Sequence, residues 1–83
     1  VRQIAYSKQA LKALRTMPRP TAMRIREKIE LYAENPAALA NNVAVLQGQP
    51  GLRLRVGDWR VLFSEREDGI DIVTIAPRGA AYD

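Results

Sequence analysis

The sequence predicts an α+β domain in which two N-terminal helices pack on one face of a mainly antiparallel sheet of four to five strands. Three observations carry this. Apolar residues recur at helical spacing between residues 8 and 34. From residue 43 onward the pattern changes to alternation, the signature of half-buried strands. Two dipeptides, Gly57-Asp58 and Asp68-Gly69, punctuate that second half as tight turns. With 83 residues the chain makes one domain, residues 1–83, with a modest core.

Taken in order, residues 1–6 form an edge-strand candidate in which Ile4 and Tyr6 alternate with polar neighbours. Ser7 suits the N-cap of a first helix over residues 8–16, since its hydroxyl can accept from a free helical N–H. Ala10, Leu11, Leu14 and the following Met17 give that helix its apolar side. Pro18 and Pro20 end it, and Pro20 opens a second helix over residues 20–34. Ala22, Ile25, Ile29, Tyr32 and Ala33 form the second apolar stripe. Asn35-Pro36 closes this helix because a residue before proline avoids the α region. Residues 37–42 read as a turn-rich connection and residues 43–46 as a short strand. A hairpin follows over residues 52–63, and residues 70–76 make the last strand. Pro77 stops it, leaving residues 78–83 as a tail.

The hairpin carries the main functional signal. With Gly57 and Asp58 in the turn, Val56 faces Trp59, Arg55 faces Arg60, Leu54 faces Val61 and Leu52 faces Phe63. Leu52, Leu54, Val56, Trp59, Val61 and Phe63 then share one side, which places Trp59 and Phe63 in the core. Arg53, Arg55 and Arg60 share the other. Like charges placed directly opposite destabilise a sheet, so a chain that arranges them this way has a use for them on something negative. A second turn at Asp68-Gly69 would set Glu67 against Ile70 and Arg60 against Pro77, bringing Arg78 beside the cluster. In that register Leu62, Val73 and Ile75 also lie on the arginine face. Guanidinium groups stay charged and bind phosphate bidentately, so four of them suit a phosphodiester.

Composition narrows the remaining chemistry. The net charge is +4 and the pI about 10.0, a balance that favours an acidic or polyanionic partner. The absence of cysteine rules out disulfides and thiolate metal sites and fits a reducing cytoplasm. The absence of histidine excludes histidine acid–base catalysis and His/Cys zinc sites. No glycine-rich phosphate loop or nucleophile elbow is present, and Glu65, Asp68 and Asp71 read as a solvated turn. No cofactor or metal is expected, and no stretch is long and apolar enough to suggest a membrane partner.

The run Leu52-Arg53-Leu54-Arg55-Val56-Gly57-Asp58-Trp59-Arg60-Val61-Leu62-Phe63 resembles the RelE/ParE superfamily of bacterial toxins. Gly48, Ile75-Ala76-Pro77-Arg78, Tyr82, Ala10-Leu11-Lys12-Ala13-Leu14 and Asn35-Pro36 extend the resemblance over nearly the whole chain. It implies two helices against a curved sheet. For the RelE-like branch, favoured here, it implies a toxin that cuts mRNA in the ribosomal A site without metal, by attack of a 2′-hydroxyl on the adjacent phosphate. By position, Arg53 matches a basic residue lining the active site and Arg60 the arginine that holds the scissile phosphate. Arg78 matches a basic residue near the C-terminus, and Tyr82 the tyrosine that orients or activates the 2′-hydroxyl. Arg55 would support the RNA nearby. The partners implied are a cognate antitoxin, the ribosome and mRNA, with operator DNA reached only through the antitoxin complex. The chain departs from many relatives in having Ala76-Pro77-Arg78 where they have Gly-His-Arg, and common lysines are replaced by arginines or absent. Those departures keep a ParE-like inhibitor of DNA gyrase as the alternative. A binding module with the toxin fold and no activity of its own is a third reading.

Overall fold

Ser7 starts the first helix as its chemistry dictates: in the computed structural model, which describes residues 3–78, its Oγ accepts from the Ala10 N–H at 3.0 Å. The same hydroxyl donates to the Val73 carbonyl at 2.6 Å, so the cap also ties the helix to the last strand. The elements are β1 (Gln3–Tyr6), α1 (Lys8–Thr16), α2 (Arg19–Glu34), a 3-10 segment (Pro36–Asn42), β2 (Val43–Val45), β3 (Leu52–Val56), β4 (Trp59–Arg66) and β5 (Gly69–Pro77). The 3-10 segment replaces the expected irregular connection, with Pro36 at its first position. Strand order is β1-β5-β4-β3-β2, antiparallel except that β1 pairs with β5 in parallel. That exception joins the first strand to the last and places the helices on one face.

The core lies between the helices and that face. Ala10, Leu14, Ile25, Ile29 and Tyr32 meet Leu54, Val61, Phe63, Ile72 and Ile75. Tyr32 packs edge-to-face on Phe63 with ring centroids 5.0 Å apart, and its hydroxyl donates to Glu65 Oε2 at 3.1 Å. At the edge Arg26 lies 5.4 Å above the Tyr6 ring, and burial raises the Tyr6 pKa above its ordinary value. Leu11, expected in the helical stripe, is instead 38% exposed.

The β3–β4 register is the one expected, with Arg55 opposite Arg60 and Leu54 opposite Val61. Gly57 takes φ 58° at the first turn position, as a type II′ turn requires. The second hairpin differs from expectation in two ways. Its turn is Glu67-Asp68, closed by Arg66 opposite Gly69, so Glu67 does not face Ile70. Gly69 belongs to the strand: it sits against Gln3, whose carbonyl a Cβ would strike. The glycine answers the close approach of β1 and has no left-handed backbone to justify it as a turn residue. Arg66 then brackets the turn, 2.6 Å from Asp68 and 2.9 Å from Asp71.

The second difference is a register shift in β4–β5 between Leu62 and Phe63. Phe63 pairs with Ile72, whereas Leu62 pairs with Thr74, so Val73 is the extra residue of a β-bulge. Ile72 and Ile75, three apart, are thereby both buried on the helix face, which an unbroken strand cannot arrange. Ile75 therefore does not lie on the arginine face.

Gly69→Ala is expected to lower the unfolding free energy by about 1–3 kcal/mol through overpacking against Gln3. Urea unfolding followed by Trp59 fluorescence checks this, and amides of β1 should lose hydrogen-exchange protection first.

Candidate functional site

Two rows of side chains cross the solvent side of the sheet. One runs Ala44, Arg53, Leu62, Thr74 and the other Arg55, Arg60, Ala76. Arg55 and Arg60 are direct cross-strand neighbours, and Arg53 is the diagonal neighbour of Arg60, within roughly 7–8 Å by strand geometry. Arg55 is exposed, whereas Arg53 and Arg60 are half-buried and Arg60 Nε is fully so. A guanidinium held partly below the surface loses less side-chain entropy when it binds an anion.

Arg60 faces Ala76 and not Pro77, because the Glu67-Asp68 turn moves the expected pairing by two residues and the bulge returns it by one. Pro77 pairs with Trp59, and the Arg78 N–H donates to the Asp58 carbonyl at 2.7 Å. The backbone of Arg78 is thus pinned level with the hairpin turn, two residues beyond Ala76. Gln9 secures this end of β5 from the other side. Its amide donates to the Ile75 carbonyl at 3.1 Å and accepts the Ile75 N–H at 2.9 Å, standing in for a neighbouring strand where β1 has ended. The structure therefore brings Arg53, Arg55 and Arg60 together with the Arg78 backbone beside them. Tyr82 lies outside the described residues.

Phe63 is buried in the main core and Trp59 packs against it, as the face assignment predicts. Sequence reasoning missed Leu46, which is buried with Leu62 although neither joins the main core. Both line a hollow of about 280 Å³ with Pro50, Val73 and Thr74, next to the arginines. Alternation could not reveal it, because Leu46 leaves the ladder after β2 and its N–H donates to the Gly51 carbonyl. Among the described residues, no three acidic side chains gather where they could hold a metal ion. No described helix is long and apolar enough to cross a membrane.

The fold is shared with chains of solved toxin–antitoxin complexes. A chain of the archaeal RelE–RelB complex from Pyrococcus horikoshii OT3 is similar with a TM-score of 0.79 and 29% identity, over 96% of this chain and 98% of that one. The RelB–RelE antitoxin–toxin complex from Methanococcus jannaschii gives 0.69 and 22%, over 88% of each chain. The intact E. coli RelBE toxin–antitoxin complex gives 0.76 and 14%, over 98% of this chain and 100% of that one. No curated protein matches by sequence. The family described as "ParE toxin of type II toxin-antitoxin system, parDE" matches residues 4–82. The chain belongs to this family, within the RelE/ParE superfamily of toxins.

Arg55→Thr is expected to raise the unfolding free energy by about 0.2–1 kcal/mol, because it removes a like charge opposite Arg60 and adds a strand former. The gain should shrink at high salt, where exposed charges are screened. Paired urea titrations at low and high ionic strength measure both effects.

Proposed function

We propose that this toxin is a ribosome-dependent endoribonuclease that cuts mRNA in the A site and is held inactive by a cognate antitoxin. The observation that carries the reading is the cross-strand set Arg53, Arg55 and Arg60, three guanidinium groups on one rigid sheet face. A scissile phosphate gathers negative charge as the 2′-oxygen bonds to phosphorus and the bond to the 5′-oxygen breaks. Fixed cations stabilise that charge more in the transition state than in the ground state. In this reading Arg60 clamps the non-bridging oxygens and Arg53 flanks them. Arg55, exposed at the rim, holds the neighbouring backbone. Arg78 supports the departing 5′-oxygen. The 2′-hydroxyl must lose a proton and the 5′-oxygen must gain one, leaving a 2′,3′-cyclic phosphate and a 5′-hydroxyl. By the family resemblance Tyr82 is the residue assigned to the 2′-proton. Without histidine and with arginines that hold their protons, the chain has few groups to manage that transfer. The ribosome would then supply substrate alignment. RelE-named proteins among the similar structures support this branch.

The family match itself favours a second reading, inhibition of DNA gyrase without nuclease activity, since that family is described by ParE. Operator DNA would be reached only through the antitoxin complex in either case.

Arg60→Ala is expected to lower A-site cleavage at least a hundredfold, as loss of one transition-state charge contact does, while the protein stays folded. Primer extension on a reporter mRNA in a translating extract reads this. In-frame cuts that persist undiminished in the variant would refute the assignment. Intact mRNA accompanied by loss of gyrase supercoiling with the parent protein would establish the alternative.

A further inference from the structure

On the helix face of the β3–β4 hairpin Leu54, Val56, Val61 and Phe63 are buried, whereas Trp59, next to the turn, is only half-buried. It opens into a crevice of about 170 Å³ where the hairpin tip meets the first turns of α2. Thr21, Arg24, Gly57 and Asp58 line the crevice with it. Arg24 Nη1 lies 3.9 Å from where a Cβ on Gly57 would stand, so the guanidinium rests against the turn. Among the described residues Arg24 has no ion pair, although Asp58 lines the same crevice. By volume the crevice holds about six waters, room for one planar ring system and too little for a peptide helix about 10 Å across. It borders the arginine face: the pair Val56–Trp59 follows Arg55–Arg60 in the ladder, about 3.4 Å further along the strands. Beyond it the hairpin ends in the short turn at Gly57-Asp58, with the Arg78 backbone bonded to Asp58. A strand held by Arg55 and Arg60 therefore has only this tip to cross before it reaches Trp59.

We propose that the crevice is a nucleobase subsite, in which RNA clamped at Arg55 and Arg60 turns over the hairpin tip and stacks a base between Trp59 and the Arg24 guanidinium. This rests on the reading of the arginine face as an RNA phosphate site. Aromatic rings and guanidinium planes are the surfaces on which unpaired bases stack. The Asp58 carboxylate repels a phosphate, so the crevice takes the uncharged base and leaves the backbone to the sheet face. The subsite grips without reading sequence, because every base has a stacking face.

Trp59 is the single tryptophan of the chain, so its fluorescence reports the crevice directly. The test titrates the full chain with a single-stranded RNA hexamer, 2′-O-methylated so that it cannot be cut. A hexamer with the same backbone and abasic residues throughout is the control. Trp59 emission should fall with the first and stay unchanged with the second. The base-bearing hexamer should bind about tenfold more tightly, as stacking contributions imply. Arg24→Gln should cut that ratio roughly threefold. Lys28→Gln, an equal charge loss on the same helix outside the crevice, should leave the ratio unchanged. Both positions are exposed, and circular dichroism verifies folding. Emission that stays flat or falls equally with the two hexamers, a ratio untouched by Arg24→Gln, or failure of the hexamer to bind each overturns the proposal. Primer extension judges the nuclease reading separately: a chain that cuts no mRNA yet shows base-dependent quenching keeps the subsite and loses the nuclease.

Discussion

Every functional position depends on the pairing register of β3 and β4. A one-residue slip would move Arg53, Arg55 and Arg60 into the core and expose Leu54, Val61 and Phe63. Two features hold the register. Gly57 at φ 58° gives the tight turn that matches the twist of the strands. The apolar rank beneath is buried against Ile25, Ile29 and Tyr32, so any slip forfeits several fully buried side chains. The like-charge contact between Arg55 and Arg60 costs tenths of a kcal/mol, well below what that burial contributes. The fold can therefore hold cations together that would separate on a less constrained surface.

The bulge at Val73 solves a second problem. An unbroken β4–β5 ladder cannot bury both Ile72 and Ile75, since side chains alternate. One extra residue reverses the alternation, buries both, and places Ala76 opposite Arg60. A small residue thus stands opposite the central arginine. Beyond it, Arg78 is tied to Asp58 and Ile75 to Gln9, so the end of β5 is fixed on both sides.

Much of this was legible in the sequence because the governing interactions are local. The Ser7 cap, the stop at Asn35-Pro36 and the Gly57-Asp58 hairpin each follow from a few adjacent residues, and each stands where those residues put it. What escaped depends on contacts between distant segments. Asp68-Gly69 resembles a turn dipeptide, but Gly69 is small because Gln3 approaches from the far end of the chain. The spacing of Ile70, Ile72 and Ile75 contained the sign of a bulge, since the three-residue step from Ile72 to Ile75 cannot keep one face in a regular strand. The outer pairing of Leu46 with Leu62 had no local signal.

The central claim is that Arg53, Arg55 and Arg60 form a phosphate-binding face, and salt dependence of RNA binding tests it most directly. The affinity of the full chain for a short single-stranded RNA, followed by fluorescence anisotropy across a salt series, yields a slope of log affinity on log salt. Each phosphate neutralised contributes about 0.7 to that slope. Replacing the three arginines together by glutamine should reduce it by about 2. A slope unchanged by the triple replacement would contradict the account.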